Sequence, residues 1–124
     1  PTSQASPFGF VLLDRNPTIA GMDTLYIADD RGAPTGGVQK WTFNGTLWTQ
    51  AATFNVATTP IGFRGLTAAA VTPAAVTLIA TTAKSSITST LYKYVDDDVV
   101  VNPKPTQLVA PTTNTVWRGI CLAP

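Results

Sequence analysis

The chain has no histidine, no glutamate and a single cysteine, and only 12% of its 124 residues are charged. Eight Lys and Arg stand against seven acidic residues, for a net charge of +1, and every acid is Asp. Each shortage excludes something. Without histidine there is no Ser-His-Asp or Cys-His catalytic pair and no zinc site with imidazole ligands. One cysteine, Cys121, excludes an internal disulfide and a thiolate cluster. A nearly neutral chain lacks the basic patch that nucleic-acid binding needs, so no nucleic-acid partner is expected. No apolar run reaches the roughly 18 residues of a membrane span. Pro1-Thr2-Ser3-Gln4 carries neither a basic region nor an apolar run, so no signal peptide is expected; the missing initiator Met implies residues upstream. At 44% hydrophobic the chain is too apolar for disorder. Nothing in this inventory names an activity. What the sequence specifies is architecture.

Threonine is abundant, valine is common, and Gly and Pro together number 19. Thr and Val are stiff at χ1 and suit a pleated surface, while scattered Gly and Pro break helices. The one helix-like patch, Ala68-Ala69-Ala70 with Ala74-Ala75, is cut by Pro73 and reads as strand, turn, strand. The expected fold class is therefore all-β.

Comparing the chain with itself reveals a repeat. Thr24-Leu25-Tyr26 aligns with Thr77-Leu78-Ile79, and Val38-Gln39-Lys40-Trp41 with Leu91-Tyr92-Lys93-Tyr94, both at an offset of 53. At the same offset, Phe10-Val11-Leu12-Leu13 aligns with Phe63-Arg64-Gly65-Leu66. At 54, Phe54 meets Leu108 and Phe63-Arg64-Gly65 meets Trp117-Arg118-Gly119. The first unit, residues 8–54, holds strand-like runs at Phe8–Leu13, Thr24–Ala28, Gly37–Phe43 and Trp48–Phe54. The second, residues 63–109, holds them at Phe63–Ala70, Ala75–Thr81, Ser89–Val95 and Pro105–Val109. A ninth run, Val116–Leu122, is expected to start or close a further unit. Asn44-Gly45 between two apolar runs predicts a hairpin with a type I′ turn.

Four antiparallel strands recurring every 40–50 residues or so is the pattern of a β-propeller blade. The segments Leu-Leu-Asp-Arg-Asn-Pro, Asp-Thr-Leu-Tyr-Ile-Ala-Asp-Asp and Trp-Arg-Gly-Ile-Cys-Leu-Ala-Pro resemble the repeats of extracellular propeller proteins, similar to NHL and kelch-type blades. The Gly-His and Trp-Asp pairs of WD40 blades are missing, as is the kelch double glycine in the second unit. The resemblance implies that residues 1–124 form part of a propeller, the C-terminal part, at an extracellular or cell-surface location. A superfold does not fix a function. Strand alternation is expected to bury Leu25 with Leu78 and Trp41 with Tyr94 at equivalent places. Two blades also leave two apolar faces open. At about 25 cal/mol per Å² that exposure costs several kcal/mol, so further blades or other chains are the expected partners.

Candidate sites follow from chemistry and position. Asp14, Asp29 and Asp30 close loops after the first two strands and are candidate ligands for Ca²⁺, which prefers oxygen donors. Against that stand solvated turns, and the second unit carries Thr82 and Ala83 where the first has Asp29 and Asp30. Asp96-Asp97-Asp98 reads as a polar turn. Arg64 and Arg118 each follow an aromatic and precede Gly, so they are candidates either to bind an anion in a funnel or to tie neighbouring loops together. Trp41 and Trp117 read as packing residues between units; Trp48, without an aromatic counterpart, is the candidate for an exposed aromatic that stacks on a glycan. Asn44-Gly45-Thr46 is an N-glycosylation sequon at a turn. Cys121, between Ile120 and Leu122, is expected to be a buried, inert thiol. No catalytic constellation and no cofactor site beyond the Ca²⁺ candidate emerge. The reading is a noncatalytic extracellular module that binds or supports other units. The alternative is a fragment of a propeller enzyme, a metal-assisted hydrolase or phosphatase whose site lies mostly outside this chain.

Overall fold

The computed structural model describes residues 4–56, 61–83, 89–110, 112–114, 116–117 and 119–121. Among these residues are eight strands: β1 (Pro7–Leu13), β2 (Thr24–Asp29), β3 (Gly37–Phe43), β4 (Trp48–Phe54), β5 (Phe63–Val71), β6 (Val76–Thr82), β7 (Leu91–Asp96) and β8 (Thr106–Val109). They form two antiparallel four-stranded meanders, β1-β2-β3-β4 and β5-β6-β7-β8, and there is no helix among the described residues.

The centre of each sheet realises the repeat. In the first sheet Thr24 lies opposite Thr42, Tyr26 opposite Lys40 and Ala28 opposite Val38. In the second, Thr77 lies opposite Val95, Ile79 opposite Lys93 and Thr81 opposite Leu91, every residue 53 positions further on. The first strands match differently. Pro7 pairs with Asp29 and Gly9 with Ala28 across an irregularity; Phe63 pairs with Thr82 and Gly65 with Thr81 across the same irregularity. Phe63-Arg64-Gly65 therefore occupies the place of Pro7-Phe8-Gly9, at an offset of 56, and not the place of Phe10-Val11-Leu12. The last strands are also displaced, since Val38 pairs with Phe54 and Leu91 with Val109, so Phe54 corresponds to Val109 and not to Leu108.

The sheets pack face to face, with β1 and β2 against β5, and with Lys40 and Phe54 of the first sheet reaching Asp96 and Tyr94 of the second. Between them lie Tyr26, Ala28, Val38 and Phe54 from the first sheet and Phe63, Leu66, Val76, Leu78, Ala80 and Tyr94 from the second. The Phe54 and Tyr94 rings stack at 5.8 Å, and Phe63 meets Tyr94 edge-on at 5.9 Å. Such rings bury about 150–250 Å² each and dominate the apolar gain. The approach is tight at the first strands: a Cβ on Gly9 would sit 3.0 Å from the Arg64 carbonyl oxygen.

Four expectations need correction here. Leu78 and Tyr94 are fully buried, but Leu25 and Trp41 are only half-buried. Alternation does place each pair on the same face of its sheet; the first sheet covers that face of the second, and none of the described residues forms a layer over that face of the first. The hairpin tip is not type I′, because only Gly45 has a positive φ (+96°), whereas that turn needs two such residues. Asn44 Oδ1 instead accepts from the Thr46 and Leu47 N–H groups at 3.0 and 2.9 Å. The ninth run forms no strand at its described residues, Val116, Trp117, Gly119, Ile120 and Cys121. A strand needs a neighbouring ladder; the Trp117 N–H goes to the Ser89 hydroxyl at 2.5 Å, and Gly119 and Ile120 lie on Gly65. Cys121 is exposed rather than buried for the same reason.

Candidate functional site

Two features stand out: a polar cluster locked between the sheets, and an apolar trough on the outer side of the first sheet. The cluster is built from Tyr26 and Lys40 of the first sheet with Arg15 of the β1–β2 loop, and from Asp96 at the end of β7 with Asp98 in the turn that follows. Strand alternation turns Tyr26 and Lys40, ladder partners, towards the second sheet. Lys40 Nζ lies 2.6 Å from an Asp96 carboxylate oxygen and also bonds Asp98; the Lys40 (7% exposed) and Asp96 (2% exposed) side chains are both nearly buried. The Tyr26 hydroxyl donates to Asp96 at 2.5 Å, and Arg15 pairs with Asp98 at 2.9 Å. Two cations against two carboxylates leave the cluster neutral, the condition under which buried charge is tolerated. Burial first, and then the Asp96 carboxylate, push the Tyr26 phenol far above the usual range. Part burial tends to raise Asp98, but Lys40 and Arg15 outweigh it and hold its carboxyl low. From the sequence, Asp96-Asp97-Asp98 reads as a polar turn. Asp97 does serve one, accepting from the Val99 and Val100 N–H groups, but Asp96 and Asp98 form the acidic half of an inter-sheet lock.

The loop carboxylates named as Ca²⁺ candidates do not converge. Asp29 is buried and bound by Arg31 at 2.7 Å, by the Arg31 N–H at 3.0 Å and by the Ser6 N–H at 3.3 Å. Burial would raise its carboxyl, but these donors keep it below the usual carboxylate range. Asp30 pairs with Arg64 at 3.0 Å, and Asp14 is exposed. Among the described residues no three Asp, Cys or other ligating side chains form a metal-sized group. Arg64, besides Asp30, has its guanidinium carbon 4.8 Å from the centre of the Phe8 ring; it ties the two units together at their first strands. Arg118 lies outside the described residues. Asp23, which sequence reasoning passed over, organises the β1–β2 loop by accepting from the Arg15 and Asn16 N–H groups at 2.9 and 2.8 Å and the Thr24 hydroxyl at 2.6 Å.

The trough has a volume of about 570 Å³ and is lined by Phe8, Phe10, Leu12, Leu25, Ile27 and Trp48, with Pro7 and Gly9. Phe8 and Phe10 are 56% and 70% exposed. Trp48, the sequence candidate for an exposed aromatic, stacks on Phe43 at 5.3 Å and forms one wall. Trp41 faces the same side, its ring N–H donating to Gln39 at 3.1 Å. Trp117 is 42% exposed rather than packed between units. Asn44 stands exposed on its hairpin.

No family model, curated protein or solved structure matches this chain.

Proposed function

We propose that the chain is a noncatalytic structural and interaction module, a pair of propeller-type blades whose uncovered sheet faces dock further units. The observation that carries this reading is the correspondence of faces. Leu25 and Trp41 on the outer side of the first sheet correspond to Leu78 and Tyr94 of the second, and Leu78 and Tyr94 are buried beneath the first sheet. The trough is thus the same kind of face, left bare. Equivalent faces point the same way along the stack, as in successive blades of a ring, rather than towards each other as in a two-sheet sandwich. Low charge, a Thr-rich composition and the sequon on the exposed Asn44 hairpin support an extracellular setting, with Asn44 carrying a glycan.

The test is Ile27→Asp, which puts a charge into the trough without touching the interior. Binding of an environment-sensitive apolar dye to the native chain should fall several-fold, while the melting temperature moves by no more than about 3 °C, as for substitutions outside a core. Unchanged dye binding in a folded variant, or loss of the cooperative transition, would overturn the reading.

A further inference from the structure

We propose that Asn44 is a self-modifying site. Wherever it carries no glycan, the Gly45 nitrogen closes a ring on its side-chain amide, expels ammonia and leaves aspartate or isoaspartate at the tip of the β3–β4 hairpin. The proposal stands independently of the module reading and concerns the same amide nitrogen that a glycan would occupy. The sequence singles the position out. Of the five Asn residues, Asn16 and Asn102 precede Pro, whose nitrogen carries no N–H and cannot attack. Asn55 and Asn114 precede the β-branched Val56 and Thr115, whose bulk crowds the attacking nitrogen. Asn44 alone precedes Gly.

The hairpin presents the reacting atoms instead of shielding them. Asn44, Gly45 and Thr46 are all exposed. No Cβ screens the Gly45 nitrogen, and beyond the chain neighbours no atom lies within 4 Å of where one would stand. The Thr46 and Leu47 N–H groups donate to Asn44 Oδ1 at 3.0 and 2.9 Å, which polarises the side-chain carbonyl towards attack. Among the described residues neither the Gly45 N–H nor Asn44 Nδ2 has a hydrogen-bond partner, so nucleophile and leaving group have none to break. Hydroxide removes the Gly45 N–H proton, the nitrogen bonds to Asn44 Cγ, and the charge passes to Oδ1. Two donors already point at that atom, as in an oxyanion hole. The C=O re-forms as the Cγ–Nδ2 bond breaks, and Nδ2 takes a proton from water and departs as ammonia. Water then opens the five-membered imide. Cleavage at Cγ restores the ordinary main chain with aspartate; cleavage at the main-chain carbonyl carbon gives isoaspartate, with the chain rerouted through Cβ and Cγ. Overall one water is consumed and one ammonia released, with no change of oxidation state. Either product puts a carboxylate where a neutral amide stood and takes the formal net charge from +1 to zero. Glycan and ring closure therefore exclude one another, because the ring expels the nitrogen that a sugar needs.

Peptide mapping by mass spectrometry of the unglycosylated chain, held at pH 7 and at pH 8, tests this. The peptide containing Asn44 should gain about one dalton, with isoaspartate present beside aspartate, while those containing Asn16, Asn55 and Asn102 stay unchanged. Conversion should run about tenfold faster at pH 8 than at pH 7, as the deprotonated fraction of the attacking nitrogen does. The folded chain should convert no more slowly than the chain in urea at the same pH, because the turn holds both donors in place. In Asn44→Gln, where closure needs a six-membered ring, the mass should hold. Retention of Asn44 in the folded chain while the unfolded chain loses it would overturn the proposal. Aspartate without isoaspartate, which marks hydrolysis without a ring, or an equal mass gain in Asn44→Gln would overturn it too.

Discussion

Asp96→Ala should cost about 3 kcal/mol of folding stability, near the lower end of what removal of one partner from a buried pair costs. Lys40 would keep only Asp98, a carboxylate that is 57% exposed and shared with Arg15. The Tyr26 hydroxyl would lose its acceptor in the interior. For a chain of this length the loss corresponds to a fall of about 10 °C in melting temperature. Asp96→Asn, which can still accept from Tyr26 but carries no charge, should cost less. The double variant Lys40→Met with Asp96→Leu should recover most of the loss, because a buried pair replaced by apolar side chains of similar size is close to neutral. Urea titration of the four proteins measures this directly. An Asp96→Ala variant within about 0.5 kcal/mol of the native chain would mean that the lock between the sheets contributes nothing, as many exposed pairs do.

Acid should unfold the protein in a single steep step below about pH 4, after a flat plateau from about pH 5 to 8. Asp23, Asp29 and Asp98 are all held below the usual carboxylate range in the folded chain. For Asp23, burial acts to raise the pKa, but the Thr24 hydroxyl and the Asn16 and Arg15 N–H groups prevail. A group whose folded pKa is depressed contributes stability above its unfolded pKa and loses that contribution as pH falls towards the folded value. The window therefore opens near the ordinary Asp value, about 3.9, and extends downward. No His or Glu is present to add a step between pH 4 and 7. Melting temperatures across pH 2 to 8 check this; a drop between pH 7 and 5 would contradict the assignment of these carboxylates.

The middle of each sheet was legible in the sequence because Lys40 and Lys93, with the strands around them, repeat at one offset and keep one register. The first strands were not. Pro7 stands where the second unit has Phe63, so the aromatic at Phe10 drew the alignment three residues off. The ten residues 14–23 between β1 and β2, against the four residues 72–75 between β5 and β6, make that shift possible. The inter-sheet lock was hidden for another reason. Lys40 and Asp98 are separated by 58 residues, and a run of three Asp followed by valines reads locally as a turn, which it also is. The tail failed as a strand because alternation reports which side of a ladder a residue would face, not whether a ladder exists.

The correspondence of faces is the central claim, and hydroxyl-radical footprinting of the dilute chain, read residue by residue against the urea-unfolded chain, tests it most directly. Trp41 and Tyr94 lie on the same face of their respective sheets, one half-buried and one fully buried. The account predicts strong protection of Tyr94, Tyr26 and Phe54, and substantial oxidation of Trp41, Phe8 and Phe10. Equal protection of Trp41 and Tyr94 in a chain shown to be monomeric, or equal oxidation of both, would contradict the front-to-back stacking on which the proposed function rests.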